Sequence, residues 1–163
     1  MPINWPKSGA HRGFAMSNPD AVCNGCTVCS MRCTDGIKIS EFEYTRIVEE
    51  LRMQDQRLVR RVLHQQKEQA WGEETYLACL FQDISTHLCL IYAARPLVCR
   101  LFGRVKHLPC PAGKVAADLD AGHVIEAYYA QPLQTFQQWM MHFGHFSFAA
   151  LLGDDADQDF IEL

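Results

Sequence analysis

Residues 23–33 read CNGCTVCSMRC, and four cysteines in eleven residues constrain this chain more than any other feature. Two intervening residues let a backbone fold back so that both sulfurs of a CxxC aim at one point. Cys23, Cys26 and Cys29 make two overlapping CxxC units, and Cys33 follows after a longer gap. The spacing C-x2-C-x2-C-x3-C equals that of a bacterial ferredoxin run, with Thr34 where that run has proline. Four thiolates would equally suit a tetrahedral zinc site, at about 2.3 Å per bond. Spacing alone does not choose between zinc and an iron–sulfur cluster. Three overlapping ligands sit more comfortably in so short a loop than four, and ferredoxin-type clusters commonly recruit the fourth sulfur elsewhere.

The remaining cysteines are Cys79, Cys89, Cys99 and Cys110, with nine, nine and ten residues between them. These gaps are too long for a local loop. They fit sulfurs that a hairpin, a short helix and a loop bring to one point. Taken singly, each reads as a small buried hydrophobe. Taken together beside the N-terminal cluster, they point to thiolate metal ligation, with one or two centres drawing on all eight cysteines.

The compartment follows from what the chain does not need. Its 163 residues can bury a core without disulfide staples. The opening MPINWPKSGAHRGF lacks the apolar run of a signal peptide. The stretch FGHFSFAALLG is too short and too interrupted to cross a bilayer. A cytoplasmic protein is therefore expected, in which cysteines serve metals or redox chemistry rather than structural disulfides. The net charge of −4 is uneven: residues 115–163 carry eight acids and no Lys or Arg. Five of those acids lie in the tail GDDADQDFIEL, which reads first as a solvated terminus. Arg57, Arg60 and Arg61 make only a small basic patch, so neither nucleic acid nor a membrane is an expected partner. A protein partner is left open.

Residues 1–22 read as irregular, 23–152 as one domain and 153–163 as an acidic tail. Ser40 and Glu43 form a capping-box pattern, with Ile39 and Tyr44 as its hydrophobic staple. Tyr44, Ile47, Val48 and Leu51 follow at helical spacing, and Leu58, Val59, Val62 and Leu63 continue it. This is one long helix, or two broken near Asp55. TYLACLFQ and HLCLIYA predict two strands of a hairpin joined by DIST. In ARPLVCRLFG, Pro96 suits the first helical position and Gly103 the residue past the end. Cys99 then lies at the edge of the first turn, where the positive end of the helix favours thiolate over thiol. HLPCPAG is a loop, and the rest predicts helices at 118–130 and 133–152. The fold class is α+β, mainly helical, with a short β-hairpin and cysteine loops tied by metal.

C89-L-I-Y-A-A-R-P-L-V-C99-R resembles the C-x-I-Y-x-x-R-P-x-x-C-R motif of the YkgJ-type cysteine-cluster proteins, also called CxxCxxCC. The upstream cysteine loop, the I-x-x-S-x-x-E helix start and the position of Cys79 are similar too. The resemblance spans roughly residues 23–110 and implies a zinc- or iron-chelating domain. Where that family has adjacent cysteines after its second CxxC, Ser30 follows Cys29 here, and Cys33 stands three residues further on. Some relatives are linked to protein lysine methylation. This chain has no glycine-rich nucleotide loop, so that activity is not carried over.

The ligand set expected is therefore Cys23, Cys26, Cys29, Cys33, Cys79, Cys89, Cys99 and Cys110. His87 and His107 are reserve ligands by their nearness in sequence to the cysteine blocks. His142 and His145 share a Phe- and Met-rich segment and read as packed or exposed side chains. Arg95 reads as a guanidinium beside the anionic thiolates, offsetting their charge without ligating. No catalytic residue emerges. Two functions stand: a zinc or iron chelator with a structural, metal-handling or interaction role, and an iron–sulfur protein with a 4Fe-4S cluster serving electron transfer, sensing or catalysis. A thiol–disulfide oxidoreductase is weaker, because the CxxC does not open a helix in a βαβ unit.

Overall fold

Ser40 begins the ordered helical core. A computed structural model describes residues 28–114 and 120–153. The segment 1–22, Cys23, Cys26 and the acidic tail beyond Gly153 lie outside the described residues, as do 115–119. Helix α1, Glu41–Met53, starts with the expected capping box: Ser40 accepts from the Glu43 N–H, and the Glu43 side chain accepts from the Ser40 N–H. Ile39 and Tyr44, the expected staple, are both buried. The break near Asp55 is real, and Asp55 caps α2, Gln56–Leu63. The two helices pack Ile47, Leu51, Val59 and Val62 into the core, each 0% exposed.

The expected hairpin is present but displaced. Gln82–Asp83 (β4) pairs antiparallel with Leu88–Cys89 (β5) around the DIST turn. The first half of TYLACLFQ does not join it. Glu74–Leu77 (β3) pairs with Glu68–Trp71 (β2) instead, turning at Gly72 with φ 63°. Strand β2 is EQAW, preceded by QQK, and carries no alternating apolar pattern, so hydrophobic periodicity could not reveal it. The remaining ladder, Lys38–Ile39 (β1) with Gln134–Thr135 (β8), ties the start of α1 to the C-terminal half.

The segment after Cys89 also shifts by small steps. A 3-10 turn, Tyr92–Ala94, precedes α3, Leu97–Leu101. Pro96 is the N-cap rather than the first helical residue, which puts Cys99 at the third position. Gly103 does take the left-handed conformation past the end, with φ 83°. The loop HLPCPAG opens with half of a minimal ladder, Arg104–Val105 (β6) with Leu108–Pro109 (β7).

The predicted helix 133–152 is three pieces. After α4, Gly122–Tyr129, come β8, α5 (Phe136–His142) and α6 (Phe148–Leu152). Thr135 and Gln138 make a second capping box, Gly144 turns at φ 78°, and Ser147 caps α6. These local stop and start signals override a continuous apolar pattern. Helix α5 docks on α1 through Trp139, whose indole N–H donates to the Ile39 carbonyl at 2.8 Å, and through Tyr44 against Phe136. Helix α6 docks through Arg52, which donates to the Leu151 carbonyl at 2.9 Å. Among the described residues, the result is six α-helices with small two-stranded antiparallel sheets, a mixed α and β fold.

The turn of the β4–β5 hairpin rests on Asp83, 1% exposed. Its Oδ1 accepts from Gln65 at 2.8 Å and from the Ser85 N–H and hydroxyl, and its Oδ2 from Arg61 at 3.1 Å. Burial pushes the carboxyl upward, but the hydrogen bonds outweigh it and hold it at about 2, below the ordinary 3.8. The stability this contributes is fully present above the ordinary value and is lost as pH falls toward 2. Asp83→Asn should cost about 2 kcal/mol near neutral pH. In parallel melts, the gap between variant and wild type should close as pH drops from about 5 to 2. A pH-independent gap would show that the charge is not what the site uses.

Candidate metal centre

The β4–β5 hairpin, a 3-10 turn at Val28–Arg32 and α3 deliver their cysteines to one place. Cys89 ends β5, and Cys99 sits in α3. Cys79 follows an isolated antiparallel bridge, Thr34 with Ala78. The Cys79 N–H donates to the Cys33 carbonyl at 2.8 Å, and Asp35 donates to Leu77 at 2.9 Å, so Cys33 faces Cys79 across the bridge. Their thiols are hydrogen-bonded to each other. Cys29 lies in a 3-10 turn, Val28–Arg32, immediately before. Cys29, Cys33, Cys79, Cys89 and Cys99 all line one cavity of about 200 Å³. Arg95, Tyr92 and His87 line it as well.

Cys110 is placed differently. It lies against Gly103, where an added Cβ would meet the Cys110 Cβ at 3.6 Å, and it is not part of the cavity wall. Of the reserve ligands, His87 reaches the cavity, held in the hairpin turn at φ 59°. His107 instead lines a separate apolar cavity with Leu97, Leu108 and Tyr128. The His142 ring sits edge-on to Trp139 and Phe143, away from the cysteines.

The electrostatics overturn one expectation. Cys99 does not behave as a helix-activated thiolate. Burial first, then the neighbouring Cys79 and Cys89, push its thiol up to about 12, with Arg95 pulling only partly the other way. Cys89 is likewise raised to about 12, by burial and then by Cys79, again opposed by Arg95. Cys79 is raised by its hydrogen bond to Cys33 and by burial. A five-residue helix supplies too little field to offset this desolvation, and its first N–H is already occupied: Leu97 donates to Glu43 at 2.7 Å.

Arg95 lines the same cavity as the cysteines. Its guanidinium carbon stands 3.8 Å from the centre of the Tyr92 ring, and its field acts on both Cys89 and Cys99. Its buried Nε has no hydrogen-bond partner among the described residues. Tyr92 was not singled out by sequence reasoning, although it is the tyrosine of the C-x-I-Y-x-x-R block. Its role as the stacking platform becomes visible only with the 3-10 turn in place.

The donor set suits a soft cation. Cys79, Cys89 and Cys99 share one cavity, their thiols raised by burial and by neighbouring cysteines, and a metal ion is the group that removes that penalty. Among the described residues, no group of three or more His, Cys, Asp or Glu is already set around a point that an ion would take. The sulfurs therefore converge without forming a finished ligand cage. None of the six described cysteines is in a disulfide. Comparison with protein families decides what this constellation is: a family model described as "CxxCxxCC: Putative zinc- or iron-chelating domain" matches residues 22–128, more than half of the chain. The chain belongs to the CxxCxxCC family. No curated protein and no solved structure matches it. The family match takes in all eight cysteines, Arg95 and α1, and ends at Tyr128 in α4. Among the described residues, no helix is long and apolar enough to cross a membrane.

Proposed function

We propose that this CxxCxxCC protein holds a metal ion through thiolates of the cavity, in a centre that is structural or serves metal handling or protein interaction. The observation that carries this reading is the convergence of Cys29, Cys33, Cys79, Cys89 and Cys99, from distant parts of the sequence, on one cavity with Arg95 at its wall. Cys23 and Cys26, six and three residues before Cys29, lie outside the described residues and are further candidate donors by spacing. Cys110 belongs to this set by sequence and stands outside the cavity wall. Thiolates would bind zinc at about 2.3 Å and satisfy it in a tetrahedron.

A second reading rests on the cysteine spacing: C-x2-C-x2-C-x3-C in residues 23–33 equals that of a bacterial ferredoxin run, which suits an iron–sulfur cluster. Anaerobic purification followed by metal analysis and a visible spectrum separates the two. Stoichiometric zinc in a colourless protein supports the chelating centre with zinc. Iron with a brown colour that dithionite bleaches supports the cluster. A protein that retains neither metal, with its cysteines reduced, removes both readings.

A further inference from the structure

Glu43 is buried, 7% exposed, and every hydrogen bond of its carboxylate among the described residues is an accepted one. In an ordinary capping box the N3 carboxylate turns one oxygen to the N-cap N–H. Here Oε2 does that, accepting from the Ser40 N–H at 3.0 Å and lying 3.2 Å from the Ser40 hydroxyl. The same Oε2 accepts from the Tyr128 hydroxyl of α4 at 2.7 Å. Oε1 reaches across 54 residues of sequence to the N–H of Leu97, the first residue of the helix that carries Cys99, at 2.7 Å. The carboxylate thus joins three elements, and the second oxygen has no part in starting α1. It fixes where the Cys99 helix begins. The nearness is electrostatic as well as geometric: Glu43 is among the groups that raise the Cys99 thiol. Burial and then the bond to Glu43 push the Tyr128 hydroxyl upward, which keeps it a donor.

We infer that Glu43 is a positioning residue for the metal centre: its Oε1 pins the first N–H of α3 and so sets where the Cys99 sulfur stands in the cavity. The inference rests on the chelating reading above. Glutamine cannot replace it, although glutamine serves in capping boxes generally. With donors converging on both oxygens, an amide in either orientation points an NH2 at a group that also donates. Rotated one way it confronts the Ser40 N–H, and rotated the other way the Leu97 N–H. Ser40 gives the control, because its hydroxyl caps α1 through the Glu43 N–H and bonds Oε2, not the Oε1 that reaches Leu97.

The test compares Glu43→Gln, Ser40→Ala and Tyr128→Phe with wild type, using zinc in competition with a chromogenic chelator. Melting temperature and amide exchange are measured on the same metal-free samples. Glu43→Gln should lower zinc affinity about 10–100-fold. It should also speed exchange at Leu97 to Leu101 while α1 stays protected. Ser40→Ala should lower the melting temperature by loss of its cap and leave zinc affinity near that of wild type. Tyr128→Phe, which keeps the ring and removes one donor, should fall between them; it carries the test if Glu43→Gln does not fold. Equal affinity in Glu43→Gln and Ser40→Ala overturns the inference, as does unchanged exchange at Leu97. If wild type itself binds no zinc or iron, the chelating reading fails. Exchange at Leu97 in the metal-free proteins then still decides whether Glu43 places the Cys99 helix.

Discussion

Removing the metal should lower the melting temperature by roughly 10 °C or more, and should loosen the cysteine loops before the helices. The cause is the uneven distribution of the core. Between Val28 and Lys38 no described side chain is buried. Two backbone bonds tie that segment to the strand opposite, Cys79 to Cys33 and Asp35 to Leu77, and the partly buried Ile37 packs against the core. Between Phe102 and Lys114, Val105 is the one buried apolar side chain, and it lies outside the main core cluster. Helices α1, α2, α5 and α6 instead share that cluster, from Ile39 through Leu151. Structural thiolate centres contribute on the order of 10 kcal/mol of folding free energy near neutral pH. If only about 4 kcal/mol of that survives as net stabilisation, the melt moves by about 10 °C. Thermal melts before and after verified metal removal give the shift. Amide exchange should rise in 28–36 and 103–114 and hold in Glu41–Met53. An unchanged melt with unchanged exchange would separate the metal from the fold altogether.

What the sequence made legible follows the range of each signal. Capping is local, and Ser40 with Glu43, Asp55 and Gly103 sit where their chemistry predicts. The Cys89–Cys99 block was legible because its spacing is short and its residue types are unusual. Strand β2 was invisible, since EQAW carries no alternating apolar pattern. The long C-terminal apolar pattern was misread as one helix because Phe and Met recur there at helical spacing. The stops at Gly144 and Ser147 outweigh that pattern. The site divides in the same way. That Cys79, Cys89 and Cys99 would meet was inferable. That Cys110 would stand off, that Tyr92 would carry Arg95, and that the thiols would be held neutral by burial all depend on long-range packing. Burial is a property of the assembled cavity, so the helix-end argument for Cys99 failed on desolvation, which no spacing encodes.

Substitutions at Cys99 and Arg95 should rank in a fixed order when metal retention is titrated against a chromogenic chelator. Cys99→Ser removes a sulfur from the cavity wall and should cost more than about 100-fold in affinity, the upper range for loss of a group that only supports a ligand. Arg95→Gln should cost about 10–100-fold. Arg95 acts on both Cys89 and Cys99, lowering thiols that burial and each other raise. Without its charge, the proton cost of forming thiolates rises, and metal must displace those protons. Arg95→Lys should cost least, because the charge survives. It should still cost something: an ammonium lacks the planar face that lies over Tyr92 and the fork that can meet two sulfurs. The proton cost also fixes the pH dependence. Affinity should climb with pH in all four proteins, and most steeply in Arg95→Gln, whose thiols have lost the positive charge that opposes their burial. If Cys99→Ser keeps wild-type affinity, Cys99 leaves the ligand set, and Arg95 keeps only Cys89 to act on. If Arg95→Lys falls as far as Arg95→Gln, the stacked geometry rather than the charge is what the thiolates need.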